Sequence, residues 1–251
     1  MAQDINYYNS LFDFMGRNMG VGFREDAGRR KGDEASTIHL LTFHYIINYN
    51  KNMKYDDLSK TIQAPYFSRG DHLLDGQKLF DYQISLWVKK GHLLRLKNGM
   101  YAFVKDKKRI KGEEIAAFLY EPSYLSLESA LAWHGFIPEM VYAYVSVTAR
   151  MNRKFTNDFG AFLYRHIKSG LFWGYMEIKT EYGHYLVAEP EKALLDYFYL
   201  NLSKIRNEAD FDNIRFNLDT IKEKLDADKF LKYLSAFGVK KMRSWALRCL
   251  P

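Results

Sequence analysis

An Asn-Gly pair at 98–99 interrupts LLRLKNGMYAFV, where apolar and basic residues alternate on the approach. Asn-Gly between alternating runs is the strongest short hairpin signal, because both central positions of a tight primed turn favour φ > 0. Leu94 and Leu96 are expected on one face of the first strand, with Arg95 and Lys97 on the other. Upstream, Asp81 stands where it would cap a helix from Tyr82 to Lys90, and Gly91 stands at the C′ position that stops one. Ile84, Trp87 and Val88 fall at i, i+3 and i+4 and form its buried face, so Tyr82, Gln83, Ser85 and Lys89 are expected to face solvent. Before it come a short helix candidate, KYDDLSKTIQ, and Ser68, placed to cap a turn over Arg69–Leu74. Helix, short helix, helix, hairpin is the order of a winged helix-turn-helix, here spanning residues 53–105.

Charge concentrates on the same stretch. The chain has 37 Lys and Arg against 30 Asp and Glu, a net charge of +7. Met53–Lys111 holds thirteen basic residues, six Asp and no Glu, so this segment carries the whole excess and the remainder sums to zero. Lys89–Lys111 has nine basic residues and one acid, Asp106. Local basicity on a balanced chain is the footprint of a polyanion-binding module, or else a solvated basic face with no partner.

Residues 1–52 read as an extension, with a glycine-punctuated loop and then a helix starting near Ser36. Residues 106–114 lie in the charged run KDKKRIKGEE and are expected to be a linker. Residues 115–251 alternate helix and strand signals. EEIAAFLY, LSLESALAWHG and PEKALLDYFYL read as helices, the last opened by Pro190 at its first turn. VYAYVSVT, GAFLYRHI, LFWGYMEI and GHYLVA read as strands. Asp210–Leu250 reads as several short helices. Helices flanking one contiguous β stretch point to an α+β domain with a helical tail. No apolar run approaches the ~18 residues of a membrane span. The first twenty residues lack a basic start followed by an apolar stretch, so no signal peptide is expected and the expected compartment is the cytoplasm.

The residue types suit a DNA duplex. Gln83 can make two hydrogen bonds to an adenine edge, and Tyr82 and Ser85 can reach bases or phosphates. Lys89, Lys90, Arg95, Lys97 and Lys105 supply cations for phosphates, with Ser68, Arg69 and the turn residue Asn98 beside them. This reading requires Gln83 to face solvent and the hairpin tip to stand clear of the rest of the molecule. A winged helix used only for protein contacts satisfies the same pattern.

QISLWVKKGHLLRLKNGMYAF, then YLSLESALAWHGFIPE, VYAYVSVTAR and AEPEKALLDYFYL, together resemble the AbiEi-type antitoxin and transcriptional regulator family of abortive-infection, type IV toxin–antitoxin systems. The resemblance covers about residues 53–250. It implies a winged helix-turn-helix that represses its own operon at inverted repeats in double-stranded DNA, which leaves room for a homodimer on the operator. It also implies a C-terminal domain that counters a nucleotidyltransferase-like toxin without a stable complex. The DNA role transfers to Ser68, Arg69, Tyr82, Gln83, Ser85, Lys89, Arg95 and Lys97 by position in the motif, not by matched identity. It implies no catalytic residue, cofactor or metal, and relatives of this architecture include solitary regulators with no toxin.

An enzyme reading finds little footing. Glu128, His134, Glu139, His166, His184, Glu189, Glu191 and Asp196 occur in no spacing that metal, phosphate-loop or acyl-transfer chemistry requires. Glu191 suits the first turn of a helix. Lys192 and Asp196, at i and i+4, are expected to form a surface pair worth a few tenths of a kcal/mol. Arg150, Arg153 and Lys154 form a second basic cluster, read as a solvated loop, with an extended DNA footprint or an acidic partner as alternatives. Cys249 is a buried small hydrophobe or part of a frayed end.

Overall fold

The computed structural model describes residues 53–70, 79–138 and 142–250, all within one compact unit, Met53–Pro251. The expected extension 1–52, the turn beyond Gly70 and Glu139 lie outside the described residues. The chain is mixed α and β. It opens with helix α1 (Tyr55–Thr61) and strand β1 (Tyr66–Ser68), followed by helix α2 (Asp81–Lys89). Strands β2 (Leu93–Lys97) and β3 (Met100–Phe103) form a hairpin, and β1 adds antiparallel to β3. A 3-10 turn, Val104–Arg109, leads into α3 (Gly112–Leu119).

Strand periodicity gives this three-stranded sheet two apolar faces. Phe67, Leu93, Tyr101 and Phe103 join Met53, Leu58, Leu79, Ile84 and Trp87 in a small core under α1 and α2. Leu96 and Ala102 belong to the main core, and Tyr66, Leu94 and Met100 pack against it. The sheet is therefore a wall between two cores, each fully buried Ile or Leu adding about 1.5–3 kcal/mol.

The hairpin forms at Asn98-Gly99, with one difference from the expected turn. Gly99 has φ +79°, whereas Asn98 does not take positive φ. Arg95 pairs with Tyr101 and Lys97 with Met100, so Leu96 is an extra residue and the register slips there. The bulge supplies the twist that a primed turn would have provided.

Past α3 come β4 (Tyr124–Leu125), α4 (Leu127–His134), β5 (Ala143–Thr148), β6 (Arg153–Asn157), β7 (Gly160–His166), β8 (Tyr175–Lys179) and β9 (His184–Ala188). They build a six-stranded sheet in the order β6-β7-β5-β4-β9-β8. It is mixed: β5 pairs parallel with β7 and β4 with β9, and the other pairs are antiparallel. The four strands expected here form, and β4 and β6 add to them. Helix α5 (Pro190–Asn201) follows, then α6 (Glu208–Asp212), α7 (Leu218–Lys224), α8 (Ala227–Phe237) and α9 (Lys240–Ala246). Pro190 occupies the first turn of α5, where its missing amide proton has no helical partner to lose.

Register assigns the faces. Tyr144 pairs with Phe162 and Ser146 with Tyr164 on one face. Helix α3 covers it: the Tyr164 hydroxyl donates to the Ala116 carbonyl at 2.6 Å, and a Cβ at Gly112 would meet the Tyr144 ring at 2.0 Å. Tyr124 and Ser126 reach Asp196 of α5, which covers the other face. The order through the molecule is α1 and α2, the three-stranded sheet, α3, the six-stranded sheet, then α5 with the C-terminal helices.

Residues 106–114 are not an extended linker. They hold the end of the 3-10 turn and the start of α3, with Ile110, Gly112 and Glu114 buried. Their charges lie on the outer side of a packed segment: Arg109 pairs with Glu181 of the β8–β9 turn at 2.7 Å and lies over Tyr182. Cys249 is buried, which pushes its thiol up to about 12. Among the described residues no helix is long and apolar enough to cross a membrane.

Candidate nucleic-acid interface

Helix α2 has two faces set by the period of ~100° per residue. Ile84 and Trp87 are buried and Val88 packs against them, as the spacing predicts. Tyr82 is 57% exposed, Lys89 and Lys90 are exposed and Ser85 is half-buried. Leu86, absent from the sequence reading, is 45% exposed between them. Gly91 stops the helix with φ +72°.

Gln83 departs from expectation. It is buried, 5% exposed, and both ends of its amide are used. Its Oε1 accepts from the Phe80 amide at 3.3 Å, and its Nε2 donates to the Met53 carbonyl at 2.9 Å. The physical reason is angular: Gln83 lies ~40° from Trp87 around the helix, at the edge of the buried arc. It caps the helix start and ties it to Met53, so it cannot read a base.

Asp81 is also reassigned. The helix begins at Asp81 and Phe80 is the N-cap, so Asp81 is a first-turn acid whose carboxylate pairs with Arg69. Arg69 sits just past β1, its amide donating to the Gly99 carbonyl at 2.7 Å. Ser68 ends β1, and its hydroxyl accepts from the Gly70 amide at 3.3 Å. Beyond Gly70, the turn it is expected to cap, Arg69–Leu74, lies outside the described residues.

On the hairpin, Arg95 and Asn98 are exposed. Lys97 is not presented as expected. The bulge at Leu96 puts Lys97 opposite Met100, on the sheet face turned to the main core. Its ammonium donates to the Leu119 carbonyl at the end of α3 and lies 5.4 Å from the centre of the Phe155 ring. Burial, with the charge of Arg150 second, lowers its pKa. The Asn157 side-chain amide donates to the Leu96 carbonyl at 3.2 Å, fastening the same strand to β6. The end of β2 is thus held against the large sheet while Asn98 stays open. Lys105 is exposed and donates to the Ser59 carbonyl at 3.4 Å.

The second basic cluster is part strand. Arg153 and Lys154 begin the edge strand β6, and Arg150 lies in the preceding turn with its guanidinium on the Glu121 carbonyl at 2.7 Å and over the Tyr120 ring. Charged residues guard sheet edges, and the charges of RKFTN hid a strand.

A separate constellation was missed. Lys192 and Asp196, expected at the surface, are both fully buried and ion-paired. The ammonium also donates to the Tyr124 hydroxyl at 2.8 Å. The Tyr124 and Ser126 hydroxyls each donate to Asp196 Oδ2 at 2.8 Å. The rings of Tyr124, Trp173 and Phe237 stand 5.3, 5.2 and 5.0 Å from the ammonium. Burial pushes Lys192 down and Asp196 up, the latter against the pull of Lys192 and its hydrogen bonds. No substrate reaches these groups without movement of the helices around them, so the set fastens β4 to α5. The available signal was the setting: opposite charges inside a helix apolar almost all round have no solvent face to occupy. Glu191 is likewise buried, accepting from the Asp226 amide at 3.0 Å and pairing with Lys229 at 3.3 Å.

Among the described residues no three His, Cys, Asp or Glu side chains converge to hold a metal. A scan against protein-family models finds no match for this chain, and a search of curated proteins finds none either.

Proposed function

We propose that this chain is a DNA-binding transcriptional regulator of the AbiEi antitoxin type, with residues 53–105 as a winged helix-turn-helix lobe. The observation that carries the reading is the outer arc of α2, where Tyr82, Ser85, Lys89 and Lys90 stand on a helix anchored by Ile84 and Trp87 beside a hairpin bearing Arg95. Burial of Gln83 removes one reader but not that arc, which lies on the other side of the helix. The condition that Gln83 face solvent is not met, so the reading rests on that arc without it. Tyr82 and Ser85 are the remaining candidates for base edges, and Lys89, Lys90 and Arg95 for phosphates. Operon autorepression at inverted repeats, and antagonism of a nucleotidyltransferase-like toxin by the C-terminal α+β part, rest on the resemblance alone.

A protein-interaction module is the second reading. Tyr82 and Leu86, exposed at i and i+4, favour it, because an apolar pair on an open helix face suits a protein groove.

Gel shifts on the DNA upstream of the gene, run across a salt series, separate the two. A DNA regulator shows affinity falling with salt, with a log–log slope of roughly −0.9 per phosphate neutralised, and Lys89→Ala flattens it by about one unit. Absence of any shift at low salt removes the DNA reading. Growth rescue on co-expression with a neighbouring toxin tests the antitoxin role.

A further inference from the structure

Strands β5 and β7 run parallel as neighbours and end together, Thr148 opposite His166. A shallow, open cleft lies at this place, lined by Ala149 and the exposed Arg150, Met151, Asn152 and His166.

The loop around it is tied down at nearly every residue. The Arg150 amide donates to the Thr148 hydroxyl at 3.1 Å, and the Tyr120 hydroxyl donates to the Met151 carbonyl at 3.3 Å. The His166 amide donates to Asn152 Oδ1 at 2.6 Å. His166 Nδ1 lies 2.9 Å from the Arg150 carbonyl, which can only accept, so Nδ1 carries the proton. These anchors decide what remains for a ligand. Asn152 has its amide NH2, His166 has Nε2 and Arg150 has the part of its guanidinium that does not serve Glu121. The Asn152 NH2 and the open part of the Arg150 guanidinium are donors that suit a phosphate, and Ala149 with the exposed Met151 gives an apolar wall beside them.

We propose that this cleft binds a phosphate monoester, with its phosphate on Arg150 and Asn152 and its organic part against Met151. The site is on the large sheet and does not depend on the DNA reading of α2. Its ligand is either a free phosphorylated small molecule or the 5′-phosphate of a nucleic-acid strand.

The test is a titration of the full chain with AMP, inorganic phosphate, and a short single-stranded oligonucleotide with and without its 5′-phosphate, read from the imidazole NMR signals of His166. Asn152→Asp keeps the acceptor for the His166 amide but sets a carboxylate against the phosphate. Arg150→Lys keeps the charge with fewer donors. We expect saturable shifts with AMP or with the phosphorylated oligonucleotide, whichever is the true source, and a loss of about tenfold or more in affinity in Asn152→Asp, as removal of one hydrogen bond to a charged group gives. Absence of saturation with every phosphorylated probe at millimolar concentration overturns the proposal. So does binding that Asn152→Asp leaves unchanged in a variant that melts like the parent.

Discussion

The most consequential single residues lie in the interior. Asp196 accepts three hydrogen bonds and Lys192 is enclosed by three rings, so each charge is compensated only while the other is present. Lys192→Met leaves a buried carboxylate with two hydroxyl donors and no cation. It should lower stability by about 3–5 kcal/mol in urea unfolding. Lys192→Met combined with Asp196→Leu should recover part of that, since an apolar pair has no charge to desolvate while the Tyr124 and Ser126 hydroxyls lose their acceptor. A double variant as unstable as the single would show that the pair contributes more than mutual compensation. His134 gives a pH signature. Its Nε2 donates to the Ala188 carbonyl at 2.8 Å, and burial lowers its pKa below the ordinary 6.5. The unfolded chain then binds a proton more readily than the folded one, so this stability is present above pH 6.5 and is lost as the pH falls through the folded pKa. Thermal melts of wild type should decline on acidification over that range more steeply than those of His134→Gln, which keeps a donor but does not titrate. Equal slopes would exclude His134 as the source.

At the level of elements, the pieces with strong local chemistry were legible and those decided by neighbours were not. Asn98-Gly99, Gly91 and Pro190 each mark a boundary through a backbone preference, and each boundary lies where the residue places it. Strand β4 has two residues and β1 three, too short for alternation to register, and they exist because longer strands offer them a partner. The bulge at Leu96 is likewise invisible in the alternating sequence, yet it turns Lys97 from solvent to α3. Gln83 was misplaced because an amide at the edge of an apolar arc faces whichever side satisfies both of its ends. The two hairpin cations should therefore behave differently. Lys97→Met should cost about 1–2 kcal/mol of stability by depriving the Leu119 carbonyl of a charged donor, while the salt slope of DNA binding stays as in wild type. Arg95→Ala should flatten that slope by about one unit with little effect on stability. The reverse outcome, measured by denaturation and salt titration together, would return Lys97 to the interface.

On the scale of the whole molecule, the three-stranded sheet couples what the sequence divides. A charged run at 105–114 suggests two bodies on a tether, because composition records the polarity of the segment and not what lies beneath it. In the fold that segment is packed, and the sheet before it gives one face to each core. A fragment ending at residue 105 would expose Tyr66, Leu94, Leu96, Met100 and Ala102, the side that meets the main core. Such an apolar face on a short domain leaves too little core to offset the chain entropy. Residues 53–105 alone should thus show no cooperative melt. Residues 53–251 should unfold in a single transition, because loosening either core strips the shared sheet. Tryptophan supplies a built-in probe: Trp87 lies in the small core, whereas Trp133, Trp173 and Trp245 pack within or beside the large one. Replacing those three with phenylalanine leaves fluorescence reporting on the small core while circular dichroism reports on the whole. Coincident midpoints would show that the helix carrying Tyr82 and Lys89 is energetically continuous with the C-terminal part, which is the physical route by which an event at one end could alter the other. Two separated transitions would instead make the lobes independent, and a regulatory contact at the C-terminal end would then have no path to α2 through the shared sheet.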